Sequence, residues 1–87
     1  MALVCLRGPL KSLAGAGVHR VAGATVGELL QSLERTKPPL DGWILDERNQ
    51  LRRHINVFVN GEQGDAETPV TDDDRIDVLP AISGGGV

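Results

Sequence analysis

The clearest structural signal in this chain is a helix start. Thr25 stands where an N-cap belongs and Glu28 follows three residues later, the pairing in which each side chain satisfies a backbone amide of the first turn. Val26, Leu29, Leu30 and Leu33 then recur at helical spacing, while Gln31, Ser32, Glu34 and Arg35 cover the solvent side. Pro38 disfavours helical geometry at Lys37, so Lys37-Pro38-Pro39 closes the segment. A short helix with one apolar face has to bury that face against another layer.

On both sides of the helix the period changes to two. Residues 2–7 place Val4 and Leu6 on one face and Leu3, Cys5 and Arg7 on the other. Gly15-Ala16-Gly17 is a turn signal, and Val18 to Val21 pair back as a second strand in a first hairpin. Residues 40–54 are irregular, with Trp43, Ile44, Leu45 and Leu51 tucked against the core. Ile55, Val57 and Val59 alternate with Asn56, Phe58 and Asn60 as a half-buried strand that ends at the Asn60-Gly61 turn. Asp72-Asp73-Asp74 makes another turn before Arg75–Leu79, whose Ile76 and Val78 point inward. The expected core is Val4, Leu6, Val26, Leu29, Leu33, Val57, Val59, Ile76 and Val78. This order predicts an α+β fold, a mixed sheet curled over one main helix: the β-grasp, or ubiquitin-like, arrangement.

The chain has 87 residues, which suffice for one small domain. With one Phe, one Trp and no Tyr, the core must be built mainly from Leu, Val and Ile. A net charge of -3 argues against nucleic acid as the main partner. Cys5 stands alone, so the fold needs no oxidising compartment, and in a strand it reads as a small hydrophobe. His19 and His54 lack companions at metal-ligand spacing and read as solvated. No apolar run approaches membrane-spanning length, and Met1–Arg7 lacks the features of a signal peptide. A cytoplasmic location is expected, with no membrane partner. Neither a nucleophile–base constellation nor a phosphate-binding loop appears, so the chain is not expected to be a catalyst.

The last strand runs directly into Leu79-Pro80-Ala81-Ile82-Ser83-Gly84-Gly85-Gly86-Val87. Three successive glycines without Cβ atoms make a thin segment, which suits threading into a narrow channel on another protein. The expected organisation is a domain over residues 1–80 and a flexible tail over 81–87.

The segments Gly8–Gly15, Gly23–Leu30, Arg53–Gly61 and Asp77–Gly85 together resemble the ThiS/MoaD-like small sulfur-carrier proteins, with the closing Leu79-Pro80-Ala81…Gly84-Gly85 as the most specific element. Within that family the chain looks closest to carriers that feed cysteine or specialised-metabolite biosynthesis. The resemblance implies that an E1-like enzyme uses ATP to adenylate the C-terminal glycine carboxylate, the carrier itself holding no cofactor. A sulfur nucleophile then displaces AMP and leaves a thiocarboxylate, which a biosynthetic partner enzyme consumes. Members of the family ordinarily finish at Gly-Gly, whereas Gly86 and Val87 follow here. The β-branched Val87 would crowd the reacting carbonyl. The resemblance therefore implies a precursor trimmed by a JAMM-type zinc peptidase, with Gly85 or alternatively Gly86 as the reactive terminus behind Gly84, the spacing from Pro80 favouring Gly85; the alternative is that Gly86-Val87 is harmless and the protein is never activated.

Leu3, Cys5, Phe58 and Leu79 alternate away from the helix and are expected to form one apolar docking patch at the root of the tail, continued by Pro80, Ala81 and Ile82. The alternative is that the irregular segment with Trp43 covers part of that patch. Three functions compete: a sulfur carrier, with the small subunit of molybdopterin synthase as a variant; a ubiquitin-like modifier joined to lysines; and a binding module that uses the sheet face alone.

Overall fold

The computed structural model describes residues 1–80. The expected tail over 81–87, with Ala81, Ile82, Gly84, Gly85, Gly86 and Val87, lies outside the described residues. Five strands form one mixed sheet: β1 (Ala2–Leu6), β2 (Val18–Val21), β3 (Ile55–Val59), β4 (Glu62–Gly64) and β5 (Arg75–Pro80), in spatial order β2-β1-β5-β3-β4. The central pair, β1 with β5, is parallel and every other pair is antiparallel. This is the expected β-grasp.

The long helix, α2 (Val26–Thr36), begins as the residues dictate. The Thr25 hydroxyl accepts from the Glu28 amide at 3.2 Å, and the Glu28 carboxylate accepts from the Ala24 amide at 2.9 Å. Two further first-turn amides are satisfied by the 65–70 segment: Val26 donates to the Thr68 carbonyl and Gly27 to the Ala66 carbonyl at 2.8 Å. Gly27 fits that approach because a Cβ there would stand 3.0 Å from the Ala66 oxygen. The apolar stripe of α2 packs on Ala2, Val4, Leu6, Val57, Ile76 and Val78 to form the core. Val59, expected inside, packs against the core from a half-buried position.

Three features depart from the sequence reading. A six-residue helix, α1 (Pro9–Ala14), occupies the connection between β1 and β2, where a plain turn was expected. Pro9 begins it with a pre-set φ, Gly15 ends it at φ 82, and the Gly15 amide donates to the Lys11 and Ser12 carbonyls. Leu10 and Ala14 are buried beneath it. The second departure is in residues 40–54, which are more ordered than expected. A 3-10 turn at Pro38–Leu40 leads into a small loop closed by a Leu45–Leu51 bridge, and the Asp46 carboxylate accepts from the amides of Arg48 and Gln50 at 2.8 and 3.0 Å. The third is Glu34. Its carboxylate does not serve the solvent side of α2 but accepts from the amides of Ile44 and Leu45 at 3.0 and 2.9 Å, clamping this loop to the helix. Ile44 and Leu45 are buried, but Trp43, expected to tuck in with them, is 50% exposed.

Candidate functional site

β5 is hydrogen-bonded on both sides, to β1 over residues 75–78 and to β3 over residues 76–80. Its last described pair is Ile55 with Pro80. Proline has no amide hydrogen, so Pro80 itself donates no ladder hydrogen bond. In sequence, the glycine-rich terminus therefore follows a strand paired on both sides.

The face of the sheet away from α2 is open. Strand register places Val18, Cys5, Asp77, Phe58 and Gln63 side by side in one row across all five strands. A second row carries Arg20, Leu3 and Arg75. Leu3, Phe58 and Leu79 are each half-buried on this face, as the alternation predicts. Cys5 belongs to the same row but is only 7% exposed, so it underlies the patch without forming contact surface, a correction to the expected exposed patch. Its cross-strand neighbours Val18 and Asp77 crowd it from either side. Pro80 is half-buried at the opposite end of β5 from Arg75; it lines a hollow of ≈ 270 Å³ with Pro9, Trp43 and His54, and its ring lies 3.4 Å from where a Gly8 Cβ would stand. Trp43 lies in that hollow at the end of the strand and does not appear in the rows of the open face.

The apolar residues of the open face are divided by charge. Asp77 stands at the centre of its row, and the guanidinium groups of Arg7 and Arg75 each approach the same Asp77 Oδ1 at 3.4 Å. Considering only the apolar members of each strand hides this cluster. Its signal was nonetheless present: the alternation that sends Cys5 and Leu79 outward sends Arg7, Arg75 and Asp77 with them. Among the described residues no group of three or more His, Cys, Asp or Glu is placed to hold a metal ion. No described helix is long and apolar enough to cross a membrane.

A mixed five-stranded sheet over one main helix, with the glycine-rich terminus following its central strand, defines a small ubiquitin-fold protein of the carrier and modifier class. The chain belongs to the ThiS family, whose model matches residues 6–85. It is 33% identical to small archaeal modifier protein 1 of Haloferax volcanii over 79 residues, covering 87% of this chain and 91% of that protein. A crystal structure of the archaeal protein superposes with a TM-score of 0.85 at 31% identity, covering 97% of this chain and 98% of the other. It is likewise 30% identical to the sulfur carrier protein CysO of Mycobacterium tuberculosis over 70 residues, covering 74% of this chain and 75% of that one. A chain in the crystal structure of the Amycolatopsis orientalis BexX/CysO complex superposes with a TM-score of 0.84 at 30% identity, covering 94% of this chain and 97% of its own. The family thus includes proteins named as sulfur carriers and proteins named as modifiers.

Proposed function

We propose that the protein is a sulfur carrier, a cosubstrate of partner enzymes with no catalytic role of its own. Its reactive group is the carboxylate of Gly85, with Gly86 as the alternative terminus. An E1-like enzyme brings this carboxylate to ATP; a carboxylate oxygen bonds to the α-phosphorus, pyrophosphate leaves, and an acyl adenylate results. Hydrosulfide then adds at the carbonyl carbon and AMP departs with its bonding electron pair, leaving a thiocarboxylate. A persulfide donor gives an acyl disulfide instead, which a thiol reduces to the same product. Glycine suits the reacting position because no Cβ hinders the carbonyl. Gly86 and Val87 have to be removed before Gly85 can react, the task of a JAMM-type peptidase, and the ATP requirement fits a cytoplasmic setting. The sulfur passes to a biosynthetic partner enzyme while Leu3, Phe58, Leu79 and Pro80, with Ala81 and Ile82 beyond them, meet the enzymes that handle the terminus.

The observation that carries this reading is that Gly84-Gly85-Gly86 follow in sequence, with only Ala81-Ile82-Ser83 between, the central strand β5 of a sheet with one open face. The family match that stops at residue 85 supports Gly85 as the terminus. The test is the intact mass of the protein isolated from its own host. A chain ending at Gly85 or Gly86 with one oxygen replaced by sulfur is expected. Unprocessed, unmodified protein under sulfur-demanding growth would refute the proposal. A second reading, conjugation to lysine as a modifier, is favoured by the 33% identity to an archaeal modifier protein. Isopeptide adducts on other proteins, without thiocarboxylate, would support that reading against the first.

A further inference from the structure

Arg7, one residue past the end of β1, and Arg75, the first residue of β5, share one oxygen of Asp77. Both contacts, at 3.4 Å, are longer than the 2.7–2.9 Å of strong guanidinium–carboxylate bonds. Both arginine side chains remain 54% exposed, while Asp77 is 19% exposed. One carboxylate therefore orients two cations without saturating either, and each guanidinium keeps donors directed outward. Arg7, Arg75 and Lys11 line one hollow of ≈ 500 Å³ together with Cys5 and Val18, and Arg20 lies one row away. This excess of positive charge sits on a chain whose net charge is -3, so the rest of the surface is correspondingly acidic.

We infer that the open face recognises an acidic protein surface, in which paired carboxylates of the partner seat on Arg7 and Arg75 while its apolar side chains meet Leu3, Val18 and Phe58. Apolar residues interleaved with the arginines suit a folded protein surface better than a phosphate polyanion. Asp77 at the centre and the net negative charge of the chain also oppose nucleic acids and anionic lipid. In functional terms the inference rests on the carrier reading, because it specifies the chemistry by which an activating enzyme would know this carrier.

The full chain, labelled with 15N, is titrated at low salt with a hexaglutamate peptide. Shifts are expected at the Arg7 and Arg75 Nε signals and at the Cys5 and Val18 amides, and these should vanish in high salt. The Arg75→Gln variant should weaken binding severalfold and Asp77→Asn should strengthen it, because the internal competitor is lost. Both variants should melt close to the wild type, since exposed ion pairs contribute about 0–1 kcal/mol. Shifts at Arg52, Arg53 and His54 instead, indifference to both substitutions, or preferential binding of an oligonucleotide or of phosphatidylserine vesicles would overturn the inference. A second arm measures ATP–pyrophosphate exchange by the E1-like enzyme of the same organism, using chain ending at Gly85. Charge reversal of Arg7 and Arg75 together should raise the KM for the carrier about tenfold or more with kcat unchanged, while Arg35→Glu on α2 should not. An active wild type with indifferent arginine variants would refute this inference alone. An inactive wild type that still binds the peptide through Arg7 and Arg75 would refute the carrier reading alone.

Discussion

Replacing Glu34 by alanine tests whether one carboxylate fastens the 40–54 loop to the body of the protein. The carboxylate accepts from two amides, Ile44 at 3.0 Å and Leu45 at 2.9 Å, in a partly buried setting. Each amide left without its acceptor costs about 1–3 kcal/mol when water cannot replace it. Partial exposure lets water reach the pair, so the combined loss should lie near the lower end, about 2–3 kcal/mol. A chain of this length has a total stability of roughly 4–13 kcal/mol, so the loss is a substantial share. At about 4–8 °C per kcal/mol for a domain of this size, the Tm should fall by about 8–24 °C. Glu34→Gln retains a neutral acceptor and should lose only about 1 kcal/mol. The assay is urea unfolding followed by two probes. Fluorescence of Trp43, the sole tryptophan, reports on the loop itself, and far-ultraviolet circular dichroism reports on the sheet and α2. Coincident transitions with an unchanged slope are expected, because Ile44 and Leu45 belong to the common core. A shift below about 0.5 kcal/mol in Glu34→Ala, within the ordinary range of surface substitutions, would refute the clamp. A fluorescence transition that runs ahead of the other probe would show instead that the loop unfolds by itself.

The remaining predictions concern acid stability, close packing and the terminus. Amides of Gln50 and Arg48 hold the Asp46 carboxyl below its ordinary value, and the Asn60 side chain followed by the Thr71 amide does the same for Asp74. Both folded values lie below the unfolded one, so this stabilisation is present above about pH 4 and is lost as pH falls through the folded values. Urea midpoints measured downward from about pH 5 should fall, and Asp74→Asn should flatten that slope. Gly23→Ala would place a Cβ 2.9 Å from the Leu29 amide nitrogen and 3.0 Å from its Cδ2, so it should destabilise by about 1–3 kcal/mol in thermal melts. A chain ending at Gly85 should support ATP–pyrophosphate exchange by an E1-like enzyme, and one retaining Val87 should not; equal rates would remove the need for processing.

What could be read from the sequence was what is encoded locally. The α2 boundary was legible because Thr25, Glu28 and the apolar stripe lie within a few residues of one another, and the alternation in β1, β3 and β5 assigned the two sheet faces. α1 was missed because six residues offer only Leu10, Leu13 and Ala14 as a face, and its Gly8-Pro9 and Gly15 borders also read as a turn. β4 has no apolar alternation in Glu62–Gly64 and is defined only by its pairing with β3. The role of Glu34 depends on a loop returning to it from ten residues away, which helical periodicity does not encode. Trp43 follows Gly42, whose φ of 82 turns the chain so that Ile44 and Leu45 enter the core while the indole stays outside.

The position of β5 bears directly on the proposed carrier role. A terminal segment that enters a partner's active site transmits any pull to the strand that precedes it. Were that strand at an edge, a single ladder would resist; here ladders to β1 and β3 both resist, and Ile76 and Val78 are fully buried between them. Hydrogen bonds loaded side by side in two ladders must break together, which protects the strand against local opening. The arginines proposed to meet a partner lie on this same strand, Arg75, and one residue beyond its parallel neighbour β1, Arg7. In the proposed carrier, recognition at the open face and delivery of the terminus would therefore act through one strand, β5.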